Sequence, residues 1–214
     1  IDLIHLLDPP SRAHWLGTDV QGRDVWARLV YGARVSLAVG LVSQLIAVSL
    51  GITLGLLAGY YRGWIDEVVM RLADVTLAFP TLLLLIAMSA AFQPSMSVVF
   101  ITIGVVGWAG IARLVRGQVL VVRDLEYVQA ARALGARGER IMLRHVLPNV
   151  VGPVVIAATL GIAGAIMAEA ALSFLGLGIQ PPTASWGSMI ADGRDLAEGL
   201  RLDGPHLERS QVPR

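Results

Sequence analysis

The chain has no cysteine, which excludes disulfides, thiolate metal centres and cysteine nucleophiles. It has no lysine either: all 17 basic residues are arginine, a skew we attribute to coding bias before function. Charge is scarce at 15%, against about a quarter in soluble domains. A net charge of +1 gives nucleic acid no broad cationic surface. The four histidines, His5, His14, His145 and His206, stand far apart without the H-E-x-x-H spacing of a metal site. No glycine-rich loop ends in Gly-Lys-Ser, so ATP hydrolysis is not expected of this chain. The apolar runs hold no Ser-His, paired-Asp or metal motif, so no catalytic residue is assigned and an intramembrane enzyme is disfavoured.

Apolar residues are abundant at 55%, and they lie in long runs. Val35 to Tyr61 is uncharged and exceeds the roughly 20 residues that cross a hydrocarbon core. Within it Ser43, Ala47, Gly51, Gly55 and Gly59 recur at every fourth position, a ridge of small side chains along which another helix of the same chain can pack. A short loop carrying Arg62, Asp66, Glu67 and Arg71 is expected next. Val75 to Ala112 is too long for one span, and Phe92 to Ser95 supplies a turn. Two spans follow, about Leu72 to Ala91 with a kink at Phe79-Pro80, and about Met96 to Val115. Val146 to Ala168 is the fourth. The fold class is all-α, a polytopic transmembrane helical bundle in contact with membrane lipid.

Between the third and fourth spans lies an arginine-rich stretch, residues 123–149, and the positive-inside rule places it in the cytoplasm. It reads as two short helices. Asp124 can cap the first, Val128, Ala131 and Leu134 share one face, and Gly135 can take the positive φ of a helix end. The second starts near Gly138 and is expected to stop at Pro148.

This stretch resembles the cytoplasmic coupling loop of permease subunits in binding-protein-dependent ABC importers. The family pattern is Glu-Ala-Ala, three residues, Gly, nine residues, Ile, one residue, Leu-Pro. Ala130, Ala131, Gly135, Leu147 and Pro148 fall in register, while Gln129 replaces the Glu and His145 the Ile. The segment from Gly17 to Asp24, followed by Gly32-Ala33-Arg34, is similar to the dipeptide, oligopeptide and nickel branch.

The resemblance implies a type I ABC importer permease architecture in the inner membrane. It implies passage of peptides, with nickel or another small solute as the alternative, powered by partner chains. Those partners are a second homologous permease subunit, two ATP-binding subunits that hold ATP and magnesium, and an extracytoplasmic solute-binding protein. Gln129, Ala130, Ala131, Leu134, Gly135, His145, Leu147 and Pro148 would seat in the ATPase. A non-transporting membrane scaffold and a truncated inactive product are the readings from other classes.

Three regions are expected: an external segment 1–34, a transmembrane domain 35–195, and an atypical polar tail 196–214. Full-length relatives are six-span subunits, so the resemblance implies that the first and last spans are missing here. The tail departs from the family, as a shifted reading frame or a disordered end would. Asp74 and Glu169 are the acids nearest membrane depth and the candidates for a pore or gate, with local pairing, Asp74 to Arg71, as the competing role.

Overall fold

A computed structural model of the chain describes residues 5–93 and 95–207, with side chains through 198. Among the described residues it is helical apart from loops and one isolated bridge between Thr18 and Asp24. Three helices are long and apolar enough to cross a membrane, and a bent helix pair makes a fourth candidate.

Helix α1, Val25–Tyr61, starts inside the segment expected to be external. Its cap is Asp24, whose Oδ1 accepts the N–H groups of Trp26 (2.8 Å) and Ala27 (3.2 Å). Asp19 opens a single turn, its carbonyl accepting the Gly22 N–H at 3.0 Å, rather than a helix. Its carboxylate closes the preceding loop, accepting the N–H groups of Gln21 (2.8 Å) and Arg23 (2.9 Å). Arg23 and Arg28 both donate to its other oxygen, at 2.7 and 2.6 Å, and Arg28 also reaches Asp192 at 2.8 Å. A charged cluster therefore ties the loop before α1 to Asp192, late in the chain.

The small-residue ridge of α1 packs within the chain, parallel to α4, Met96–Val122. A Cβ on Gly51 would stand 2.5 Å from Cβ of Ile111, and one on Gly55 2.6 Å from the Ala112 carbonyl. At Gly59 the clash would be with Cβ of Val119, at 2.8 Å. Helices this close exchange dispersion contacts along their length, which in lipid replaces the missing hydrophobic driving force. At the C-terminal end of α1 Arg123 Nη1 donates to the carbonyls of Gly59 (3.1 Å) and Tyr60 (2.9 Å), satisfying two of its open groups.

The loop expected at Arg62 to Arg71 is helix. α2, Gly63–Ala78, begins directly after α1, with Asp66 in its first turn and bonded by both oxygens to Arg116 at 2.6 Å. The expected kink at Phe79-Pro80 is a full break. Phe79 is extended, the state that a following proline favours, and α3, Thr81–Ala90, leaves at 93° to α2. Asp74 pairs with Arg113 of α4, not with Arg71. Of the turn expected from Phe92 to Ser95, Pro94 lies outside the described residues, and Ser95 caps α4 through the Val98 N–H.

Pro148 does not stop its helix. α6, Gly138–Ile141, passes through a π-helical turn, Met142–Val146, into α7, Leu147–Phe174. Pro148 has no N–H to give to the continuing helix, and the wider π-helical turn before it accommodates its ring. The wide turn closes by the Leu147 N–H returning to the Met142 carbonyl. A loop then leads to α8, Trp186–Leu207, so helix covers the start of the region expected as a tail, and residues 208–214 lie outside the described residues.

Candidate coupling site and membrane cavity

Beyond the C-terminal end of α4 the chain folds back as α5, Glu126–Ala133, followed by α6. Asp124 is not its cap: Leu125 holds that position without a side-chain bond. Gly135 does end the helix at φ +82°, a backbone state costly for other residues.

One face of this helical pair is anchored. Val128 has no exposed surface, and with Ile141 and Val146 it joins a cluster that includes Leu56 of α1, Val115 and Val119 of α4 and Val150 of α7. Tyr127 and Asn149 bridge α5 to α7 at 3.0 Å, and Asn149 also donates to the His145 carbonyl at 2.7 Å. Gly138 lies against the Tyr60 ring at the end of α1. Each buried valine of this kind contributes roughly 1.5–3 kcal/mol relative to exposure, so the pair is held to three spans at once.

The other face is bare. Leu134, expected on the face of Val128, is 88% exposed, the most exposed large apolar side chain among the described residues, because α5 ends at Ala133 and Leu134 is its cap. Gln129, Ala130, Gly135 and Pro148 are also exposed, while Ala131, His145 and Leu147 are half-buried. The Gln129 carboxamide donates to the Asp124 carbonyl at 3.0 Å, a bond that the carboxylate of the family's Glu could not donate.

A cavity of about 410 Å³ opens at mid-bundle, where α2 breaks from α3 and both face α4 and α7. Its lining is apolar except for Gln44, Thr76 and Thr81, and carries no ionisable group. Neither Asp74 nor Glu169 lines it. Asp74 is exposed beside Arg113. Glu169 is fully buried near the outer end, accepting hydrogen bonds from Ser173 and Ser185, both 2.7 Å. Sequence reasoning does not single out Gln44, though it is the one carboxamide in the uncharged run Val35 to Tyr61. Arg123, Tyr127 and Asn149 lack even that signal, because their partners are distant in sequence.

In the outer loop, burial acts against ionisation of Asp19. The N–H groups of Arg23 and Gln21 and the Arg23 guanidinium outweigh it and hold the carboxyl below its ordinary range. Asp24 is likewise lowered, first by its hydrogen bond with His14 and then by the Ala27 N–H.

Residues 51–200 match the family described as binding-protein-dependent transport system inner membrane component. The chain is 45% identical over 193 residues to the glutathione transport system permease protein GsiD of Pectobacterium atrosepticum, covering 90% of this chain and 64% of that protein. It is 46% identical over 185 residues to the dipeptide transport system permease protein DppC of Bacillus subtilis, covering 86% and 58%. Identity to the oligopeptide transport system permease protein OppC of the same organism is 40% over 192 residues, covering 90% and 63%. The chain thus spans less than two thirds of the length of these curated relatives. Its fold is similar to that of a chain in the inward facing MetNI methionine ABC transporter, with TM-score 0.64 at 19% identity over 88% of this chain and 98% of that one. With the apolar helices and the inner helical pair already in place, these similarities establish that the chain belongs to the family of binding-protein-dependent transport system inner membrane components.

Proposed function

We propose that the chain is a permease subunit of an ABC importer that carries peptides across the inner membrane. It forms part of the path and takes its driving force from two ATP-binding subunits that hold ATP and magnesium. A second homologous permease subunit and an extracytoplasmic solute-binding protein complete the assembly. Relatives named for glutathione, dipeptides and oligopeptides support a peptide cargo over nickel.

The observation that carries this reading is the two-sided inner pair: Leu134, at the end of α5, is bare, while Val128, within α5, is buried among three spans. A partner groove that covers Leu134 and the adjoining Ala130 gains apolar burial and close approach at that face. Arg132, Arg137 and Arg140 surround the face with positive charge, which steers and orients an acidic rim. Closure of the ATPase pair on ATP then displaces α5 and α6. Because Val128, Ile141 and Val146 are embedded among α1, α4 and α7, the displacement moves the spans with it. Two states, open to either side, are the minimum for transport, and ATP selects between them by binding one better.

The test is Gly135→Trp in the full assembly. The bulky residue strains a positive-φ site and obstructs the groove. Loss of both uptake and ATPase attachment is expected, and retention of both overturns the seating. A non-transporting scaffold makes the opposite prediction, that uptake by the assembly is unchanged.

A further inference from the structure

We propose that Gln44 is the solute-contacting residue of the membrane cavity, reading the peptide bond of a passing peptide through its carboxamide; this rests on the peptide-permease reading. Gln44 lies midway along α1 and lines the cavity. A polar group at that depth is costly unless bonded or functional. Among the described residues its side chain has no hydrogen-bond partner. Thr76, by contrast, spends its hydroxyl proton on the Leu72 carbonyl at 2.9 Å. The carboxamide is seated by shape: a Cβ on Gly161 would stand 2.3 Å from Oε1 and 2.7 Å from Nε2 of Gln44. Glycine at that point of α7 therefore leaves the room the amide occupies.

The chemistry selects the ligand. A carboxamide offers one acceptor oxygen and two N–H donors, so it can accept from a peptide N–H or donate to a peptide C=O; these point to opposite sides of a trans peptide group, and it makes one of the two bonds at a time. Either bond recognises a peptide whatever its side chains. The rest of the lining, including Leu85, Ile103 and Val106, adds no charge that would favour acidic or basic cargo. A volume of about 410 Å³ falls in the range of small-molecule sites, roughly 300–1,000 Å³. An ion would find no carboxylate or imidazole in this lining, and a membrane cavity without ligating groups serves a bare metal poorly.

The experiment measures uptake by the complete assembly in proteoliposomes. The probes are alanylalanine and its analogue methylated on the peptide nitrogen, which cannot donate. The wild-type assembly is expected to prefer the unmethylated peptide, and Gln44→Leu is expected to lower that preference roughly fivefold, the loss of the one neutral hydrogen bond from the peptide N–H to Oε1. Any preference exerted by the solute-binding protein is common to both assemblies and cancels. A general folding defect lowers both uptakes and leaves their ratio alone. Gln44→Met, of similar length, should reduce the ratio as well, and Gly161→Ala should do so by displacing the amide. An unchanged ratio in the Leu and Met variants overturns the assignment to Gln44. Failure of the wild-type assembly to take up alanylalanine at all overturns the peptide reading itself, and this proposal with it.

Discussion

The Ser185 hydroxyl donates a 2.7 Å hydrogen bond to Oε1 of Glu169, sixteen positions earlier, and both side chains are fully buried. Ser173 donates to the same oxygen at 2.7 Å, and Gly187 lies against the other one. A single buried carboxyl thus fastens the outer loop and the start of α8 onto α7. Removing it as Glu169→Ala strands two hydroxyls and should cost about 1–3 kcal/mol of stability. Glu169→Gln keeps an acceptor oxygen and should cost less. Limited proteolysis of the loop between Leu175 and Ala184 reads the difference: faster cleavage is expected in the Ala variant than in the Gln variant, and equal protection in all three proteins would contradict the fastening role.

Helix contact along α1 can be tested by two alanines of opposite expected effect. Gly55→Ala places a methyl 2.6 Å from the Ala112 carbonyl and 2.7 Å from Val115 Cβ, so α1 and α4 must separate. A loss of about 1–3 kcal/mol is expected, seen as a lower thermal midpoint in detergent. Gly117→Ala meets nothing within 4 Å in this chain and removes a helix-weakening glycine. It should be neutral or stabilising by up to about 1 kcal/mol. Equal destabilisation by both would refute the packing assigned to the ridge.

Acid should loosen the outer loop only once its carboxylates protonate. Asp19 and Asp24 both have folded pKa values below the ordinary carboxylate value. Their stabilising bonds are therefore fully present above that value, roughly pH 4, and are lost as pH falls through the lower folded values. Hydrogen exchange at the Gln21, Arg23, Trp26 and Ala27 amides, which these carboxylates accept, should stay protected at pH 5 and weaken only below pH 4, a threshold of about the model-peptide value. In Asp19→Asn the Gln21 and Arg23 amides should lose that acid sensitivity. Loss of protection already at pH 6 would show that other groups hold the loop.

Much of the bundle is legible in the sequence because its determinants are local. The uncharged runs announce the spans, the four-residue repeat from Ser43 to Gly59 announces a close helix contact, and Gly135 announces a left-handed helix end. What does not show is decided at a distance. Asp74 takes Arg113 over Arg71 because α2 lies along α4, and Asp66 turns an expected loop into a helix start by meeting Arg116. Pro148 reads as a stop because proline forbids an ordinary turn before it, yet a π-helical turn absorbs it. Most of the inner motif is visible as spacing, but its anchoring is not: Val128 reads as any apolar helix residue until α4 and α7 close over it.

The most direct measurement uses the absence of cysteine from this chain, which makes Leu134→Cys a unique thiol. In the complete assembly in membrane vesicles, that thiol should cross-link to an ATP-binding subunit, with a yield that changes when ATP is bound. It should also resist a membrane-impermeant maleimide supplied from the extracytoplasmic side. Labelling from that outer side, with no cross-link to the ATP-binding subunit in any nucleotide state, would contradict the proposed coupling.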